Sequence, residues 1–235
     1  MLRIKETLVA SFVSFLLVGC IVNADIETGQ LEYEIGNYKE AYEIWLPLAK
    51  KGDPIAQTKI GSLFDDGTGF TEDNIEAVKW YRLAAQQGYS EGQYLLGTMY
   101  HYGEGVDVDY KEAMRWYQLA VAQDNVSALV YLGVLYDGLG KYLEAGNQFE
   151  RALPILERTM GPSNSNVGII LNNLASVYEE QGRYADAEPL YKRSLSIREE
   201  AFGPDHPNVA TVLNNLGLLY VELGRFTDAR TVNER

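Results

Sequence analysis

Only two histidines occur in the 235-residue chain, and they lie far apart: His101 follows Met99-Tyr100, and His206 sits in Pro204-Asp205-His206-Pro207. Neither has a partner at a metal-ligand spacing such as H-x-x-x-H, which sets two imidazoles on one helix face. His101 reads as a partly exposed residue near a helix end, and His206 as a cap or a solvent-facing residue in a connector. Two acidic stretches carry the oxygens that calcium takes: Asp65-Asp66-Gly67-Thr68-Gly69 with Glu72-Asp73, and Glu104 with Asp107 and Asp109. Both lack the D-x-D-x-D-G order and the closing glutamate of a helix–loop–helix calcium site. Their glycines suit a turn that needs positive φ. No nucleophile elbow, phosphate loop or dinucleotide fingerprint is present. The chain is therefore read as non-enzymatic, with no catalytic, cofactor or metal site.

One more residue could do chemistry. Cys20, the single cysteine, follows an apolar run from Leu8 to Val18 that is preceded by Arg3 and Lys5. The full apolar run, to Val22, is short for a membrane span, which needs about 20 residues, and suits the core of a signal peptide within residues 1–24. Leu17-Val18-Gly19-Cys20 resembles a bacterial lipobox, which implies cleavage before Cys20 and a lipid on its sulfur. Val22-Asn23-Ala24 offers a competing site for ordinary secretion. Either way the chain is expected to be exported, as an outer-membrane lipoprotein facing the periplasm or as a soluble periplasmic protein. No further cysteine is left for a disulfide.

The remaining chain is built from copies of one unit. Gly61, Gly97 and Gly133 are 36 residues apart, and Gly133, Ala175 and Gly217 are 42 apart. Around Ala175, the residues Leu171, Leu174, Ala175 and Tyr178 fall at i, i+3, i+4 and i+7, one apolar stripe of a helix. Gly182 is placed to end that helix, and Ala187, Tyr191 and Leu195 mark the buried side of a second one. Each unit is thus a helical hairpin whose small residues are expected to let the two backbones approach, with aromatics filling the gaps between hairpins. A period of this length predicts an all-α, right-handed α-solenoid of about five hairpins, in which each unit buries its apolar face against its neighbours.

The small-then-aromatic pattern resembles the tetratricopeptide repeat, in two subtypes. The step from first-helix glycine to second-helix alanine is sixteen residues in the earlier copies (Gly61 to Ala77, Gly97 to Ala113) and twelve in the later ones (Gly133 to Ala145, Ala175 to Ala187, Gly217 to Ala229). With Trp80-Tyr81 and Trp116-Tyr117, the earlier copies resemble Sel-one-like repeats over 25–127, with 36–61 as a leading half-unit. The later copies, over 128–235, resemble the kinesin light-chain type: Leu171-Asn172-Asn173-Leu174 recurs as Leu213-Asn214-Asn215-Leu216. Their additional residues are expected to lengthen the second helix by about two turns. The last copy ends at Arg235, so its second helix is expected to be short.

The resemblance implies a protein-interaction scaffold whose first helices line a concave groove. Partner-facing positions then comprise Asn172, Ser176 and Glu179 in one copy, Asn214 in the next, and Tyr94 and His101 in an earlier one. A side-chain amide can grip the backbone of an extended peptide without reading its sequence. The groove is therefore expected to use Asn172 and Asn214, with Asn173 and Asn215 holding the helices together. A formal net charge of −13 makes nucleic acid an unfavourable partner and a neutral or basic protein surface a favourable one. An envelope enzyme like the cysteine-rich Sel-one-like relatives, and a purely structural spacer, are the competing readings.

Overall fold

The computed structural model describes residues 24–235. Cys20, the apolar run and the cleavage motifs up to Asn23 lie outside the described residues. The described chain is helical, and it divides into two compact units at Ala120 and Val121. In the first unit α1 covers 24–34, followed by α2 (Tyr38–Lys50), α3 (Pro54–Asp65), α4 (Asn74–Gln86), α5 (Ser90–Tyr102) and α6 (Tyr110–Val121). The second unit contains α7 (Val126–Gly138), α8 (Tyr142–Met160), α9 (Ser165–Glu180), α10 (Tyr184–Phe202), α11 (Pro207–Glu222) and α12 (Phe226–Asn233).

Both units are stacks of hairpins. Most helices pack on the next in sequence, and the first helices of successive hairpins also touch: α3 with α5, α7 with α9, and α9 with α11. The small residue of each first helix has a specific task. A Cβ on Gly61 would stand 2.6 Å from the Tyr81 ring, one on Gly97 2.6 Å from Tyr117, and one on Gly133 2.6 Å from Phe149. Glycine therefore admits an aromatic ring from its own hairpin, four residues after the second-helix alanine. This corrects the expectation that the rings fill gaps between hairpins. Tyr81, Tyr117 and Phe149 are all fully buried, and an aromatic of this size contributes about 1.5–3 kcal/mol on burial.

The same rule exposes a hairpin that the 36-residue period does not reveal. Gly29 of α1 sits against the indole of Trp45, whose Nε1 donates to the Ile26 carbonyl over 3.2 Å. Residues 36–61 are thus not a leading half-unit. α2 is the second helix of a complete hairpin with α1, and the described residues hold six hairpins rather than five.

The two units make their turns differently. In the second, α7, α9 and α11 reverse through Gly140, Gly182 and Gly224, all at positive φ, and α8, α10 and α12 start without a side-chain cap. In the first, the longer turns 65–73 and 102–109 reach back onto the preceding hairpin. Gly69 lies against Tyr38 at the start of α2, and Gly105 lies against the Asn74 carbonyl at the start of α4, where a Cβ would collide. Phe70 then packs on Tyr42 and Phe64, with ring centroids 4.9 and 5.6 Å apart. The extra residues build contact between hairpins, which explains their glycines. Among the described residues no three His, Cys, Asp or Glu side chains converge as metal ligands.

Added length in the second unit is shared between both helices. α8 and α10 have 19 residues against 13 in α4, and α9 and α11 have 16 against 12 in α3. The lengthening of about two turns expected for the second helix alone is therefore split. The extended end of α10 is held from inside: Ser194 Oγ donates to the Gly168 carbonyl over 2.6 Å, and Arg198 Nη1 to the Asn208 carbonyl over 2.8 Å. α12 is short, at 8 residues.

Candidate partner-binding groove

The candidate positions are set by register on the first helices. Relative to the small residue, they stand three before, one after and four after. The position four after makes the most regular structure. In α3 it is Asp65, whose Oδ2 accepts from the Tyr81 hydroxyl over 3.0 Å, with Ser62 Oγ 3.2 Å from the same Tyr81 oxygen. In α5 it is His101, with Nδ1 3.3 Å from the Tyr117 hydroxyl. In α9 it is Glu179, whose Oε2 accepts from the Tyr191 hydroxyl over 2.9 Å. The ring that seats on the small residue thus continues, through its hydroxyl, to a polar group on the first helix.

In α7 the series breaks. The equivalent residue is Asp137, and the ring of that hairpin is Phe149, which has no hydroxyl to give. Burial raises the Asp137 carboxyl above its usual range, and Glu180 adds to the effect. Burial likewise raises Glu179, with Tyr191 opposing and Glu180 and Glu222 reinforcing. Asp137 on α7 and Glu180 on α9, and Glu179 on α9 and Glu222 on α11, are thus near enough to repel one another. In the first unit burial raises Asp65 in the same way, with Asp66, Glu104 and Glu72 contributing repulsion. Burial also lowers the His101 imidazole.

The other expected positions divide. Asn214 is exposed, Ser176 and Tyr94 are partly buried, and the Tyr94 ring lies over Tyr117 at 6.4 Å, inclined by 29°. The His101 ring stacks on Tyr102 at 4.5 Å. Asn172 differs from expectation: it is 8% exposed, and its Oδ1 accepts from Asn215 Nδ2 over 3.1 Å. The first asparagine of one pair is therefore joined to the second asparagine of the next, and the amide expected to grip a peptide instead ties α9 to α11. In the last copy the positions after the small residue are apolar, with Leu218 and Val221 both exposed. His206 is a cap: its Nδ1 accepts from the Asn208 backbone N–H over 3.1 Å, and its ring stacks on Phe202 at 4.7 Å.

Two features went unmarked in the sequence. One is the hairpin at Gly29, twelve residues before Ala41, the same step as in the later copies. The other is Lys59, partly buried on α3, with Nζ 2.5 Å from Gln30 Oε1 and 5.0 Å from the centre of the Trp45 ring. A lysine on a predicted helix carries no signal of what covers it.

Known proteins match this architecture. The Sel1 repeat model matches residues 54–89 and 90–125, and the tetratricopeptide repeat model matches 124–200 and 166–235. An exopolysaccharide production negative regulator from Rhizobium leguminosarum bv. viciae is 37% identical over 60 residues, which are 26% of this chain and only 22% of that protein. A Sel1 repeat protein from Oxalobacter formigenes superposes with a TM-score of 0.62 at 24% identity, over 83% of this chain and 75% of that one. BtubC (BKLC) from P. vanneervenii superposes with a TM-score of 0.64 at 18% identity, over 91% of this chain and 89% of that one. These two likenesses concern the fold alone, an all-α solenoid. With its rings seated on small residues and both repeat models matched in series, the chain belongs to the tetratricopeptide-repeat superfamily, carrying Sel1 repeats ahead of tetratricopeptide repeats.

Proposed function

We propose that the chain is a non-enzymatic adaptor of the bacterial cell envelope that binds a neutral or basic polypeptide along its first helices. Repeats of these two kinds generally serve as protein-interaction scaffolds. The observation that carries the reading is the group Asp137, Glu179, Glu180 and Glu222, whose repulsion the Tyr191 hydroxyl on Glu179 offsets only in part. A basic segment laid across it relieves that repulsion and is drawn in from a distance. The net charge of −13 works against nucleic acid. Export rests on Arg3, Lys5, the apolar run and Cys20. The matched regulator of exopolysaccharide production supports a regulatory use over a purely structural one.

Selection of random peptides against the purified chain tests the binding. Enrichment of basic or neutral peptides, with affinity lowered about tenfold or more by Asp137→Lys with Glu179→Lys, is the expected result. Binders indifferent to both reversals, or no saturable binder, would contradict it. Mass spectrometry of the chain expressed in a diderm bacterium tests the anchor. A lipid-modified start at Cys20 is expected; a start at Asp25 makes the adaptor soluble, and an uncleaved Met1 removes the envelope from the reading.

A further inference from the structure

One line of side chains along α11 stands open to solvent. Leu218 is 62% exposed and Val221 45%, and Pro207, Ala210 and Asn214 are exposed with them. At 100° per residue all five fall within about 40° of a single stripe centred on Asn214. Among the described residues α11 packs on α9, α10 and α12, and none of these covers the stripe. The preceding first helix shows what such a stripe can do. Its equivalents in α9 are Gly168, Asn172, Ser176 and Glu179. Gly168 lies under Ile197 and Arg198 of α10, and Asn172 is joined to Asn215 of α11. In α9 the stripe is a joint between helices. In α11 it keeps the asparagine of that joint and replaces the serine and the glutamate by two aliphatic side chains.

We propose that this stripe joins two copies of the chain, α11 against α11, antiparallel about a twofold axis at Asn214. The partner follows from how the stripe matches itself. A side-chain amide both donates and accepts, so Asn214 can pair with Asn214 of a second copy as Asn172 pairs with Asn215 within the chain. One amide in an apolar stripe also fixes the register. Centred there, the antiparallel contact sets Leu218 against Ala210 and Val221 against Pro207, large on small. It sets Glu222 against His206, whose Nδ1 accepts from the Asn208 N–H and whose Nε2–H is thereby the donor left for a carboxylate. A parallel contact would instead bring Glu222 against Glu222, acid on acid. Asp137, Glu179 and Glu180 lie on α7 and α9, outside the stripe, so the inference goes beyond the adaptor reading and does not rest on it.

Sedimentation velocity of the purified chain, with cysteine cross-linking, tests it. Association is expected to rise with concentration and to tighten from about 0.05 to about 0.5 M salt, because two chains of formal charge −13 repel each other. Leu218→Asp, at an exposed position, is expected to weaken association at least about tenfold with the thermal transition unmoved. On mild oxidation Asn214→Cys is expected to give a linked dimer, with the unaltered chain as the control for Cys20. Val221→Cys is not, since the antiparallel register separates its two copies by about 21 Å against a disulfide limit of about 7 Å. Ala210→Cys mixed with Leu218→Cys is expected to link. A chain that stays monomeric up to about 1 mM overturns the proposal. Linkage of Val221→Cys as readily as Asn214→Cys also overturns it, as does association that salt abolishes. None of these outcomes bears on the acids of α7 and α9, which the peptide selection tests separately.

Discussion

The two units solve one problem with different materials. Each must join hairpins that share no covalent cross-link. The first uses short helices of 12 or 13 residues and lets glycine-rich turns lie on the preceding hairpin, Gly69 on Tyr38 and Gly105 on Asn74. The second closes its turns on single glycines and uses helices of 16 and 19 residues instead, tied by Asn172 to Asn215 and by Arg198 to the Asn208 carbonyl. Even a shared tyrosine position is used with opposite polarity. Tyr100 accepts from Arg82 over 2.8 Å in the first unit, whereas Tyr178 donates to Glu150 over 2.7 Å in the second. The lesson is that a ring seated on a small residue recurs in both units, with Asn233 in its place on Gly217, while the joints between hairpins differ from one unit to the other.

The three tryptophans, Trp45, Trp80 and Trp116, all lie in the first unit, so their fluorescence reports that unit alone. The largest expected effect comes from filling the ring seat. Gly61→Val drives a side chain into the Tyr81 ring and is expected to destabilise the first unit by about 3 kcal/mol, read as an earlier tryptophan transition in urea. The matched change Ala175→Gly in the second unit is expected to cost about 1 kcal/mol, with the tryptophan transition unmoved. A tryptophan shift on Ala175→Gly would show that the two units melt together.

Next in size is the asparagine pair. Asn172→Ala leaves Asn215 without its partner and is expected to cost about 1–2 kcal/mol, seen as faster amide exchange in α9 and α11. Asn214→Ala, at an exposed position, is expected to stay within about 0.5 kcal/mol. Equal effects would dissolve the distinction between a joint and a surface.

Much of this was readable because hairpin packing is local. Gly61 and Tyr81, or Gly133 and Phe149, are close in sequence and recur at fixed spacing, so the helices and most of their seats follow from pattern. The misreadings arose where a residue depends on a neighbour beyond its own hairpin. Asn172 and Asn214 are identical in their local setting, and only the presence of α11 buries one of them. Gly29 gives no periodic signal because it stands 32 residues before Gly61, off the 36-residue step, and close to the segment that reads as a signal peptide. Register alone points to Glu179, but its pairing with Tyr191 follows only once the ring seat is known.

Acidification separates the units by a smaller margin. Asp137 and Glu179 have raised carboxyl pKa values, so the folded second unit binds protons before the unfolded chain does. Its stability is then expected to rise as pH falls from 7 toward about 5, because the penalty for their charge is progressively removed. Glu188, lowered by Lys192, acts the other way only at lower pH, where its ion pair is lost. In the first unit the raised Asp65 is opposed by the lowered His101, which costs stability when the unfolded chain's histidine takes up a proton first. Slower amide exchange in α9 at mildly acid pH, abolished by Asp137→Asn with Glu179→Gln, is the expected readout; tryptophan fluorescence should change less. The smallest effect is at the exposed pair Arg230–Glu234, where Glu234→Gln is expected to shift stability by less than about 0.5 kcal/mol.

Partners held along the first helices must slow amide exchange there, which is measured with and without a selected basic peptide. Added protection is expected in α7, α9 and α11, around Asp137, Glu179, Glu180 and Glu222, with α8 and α10 little changed. Protection confined to α8 and α10, or unchanged exchange at saturating peptide, would contradict it.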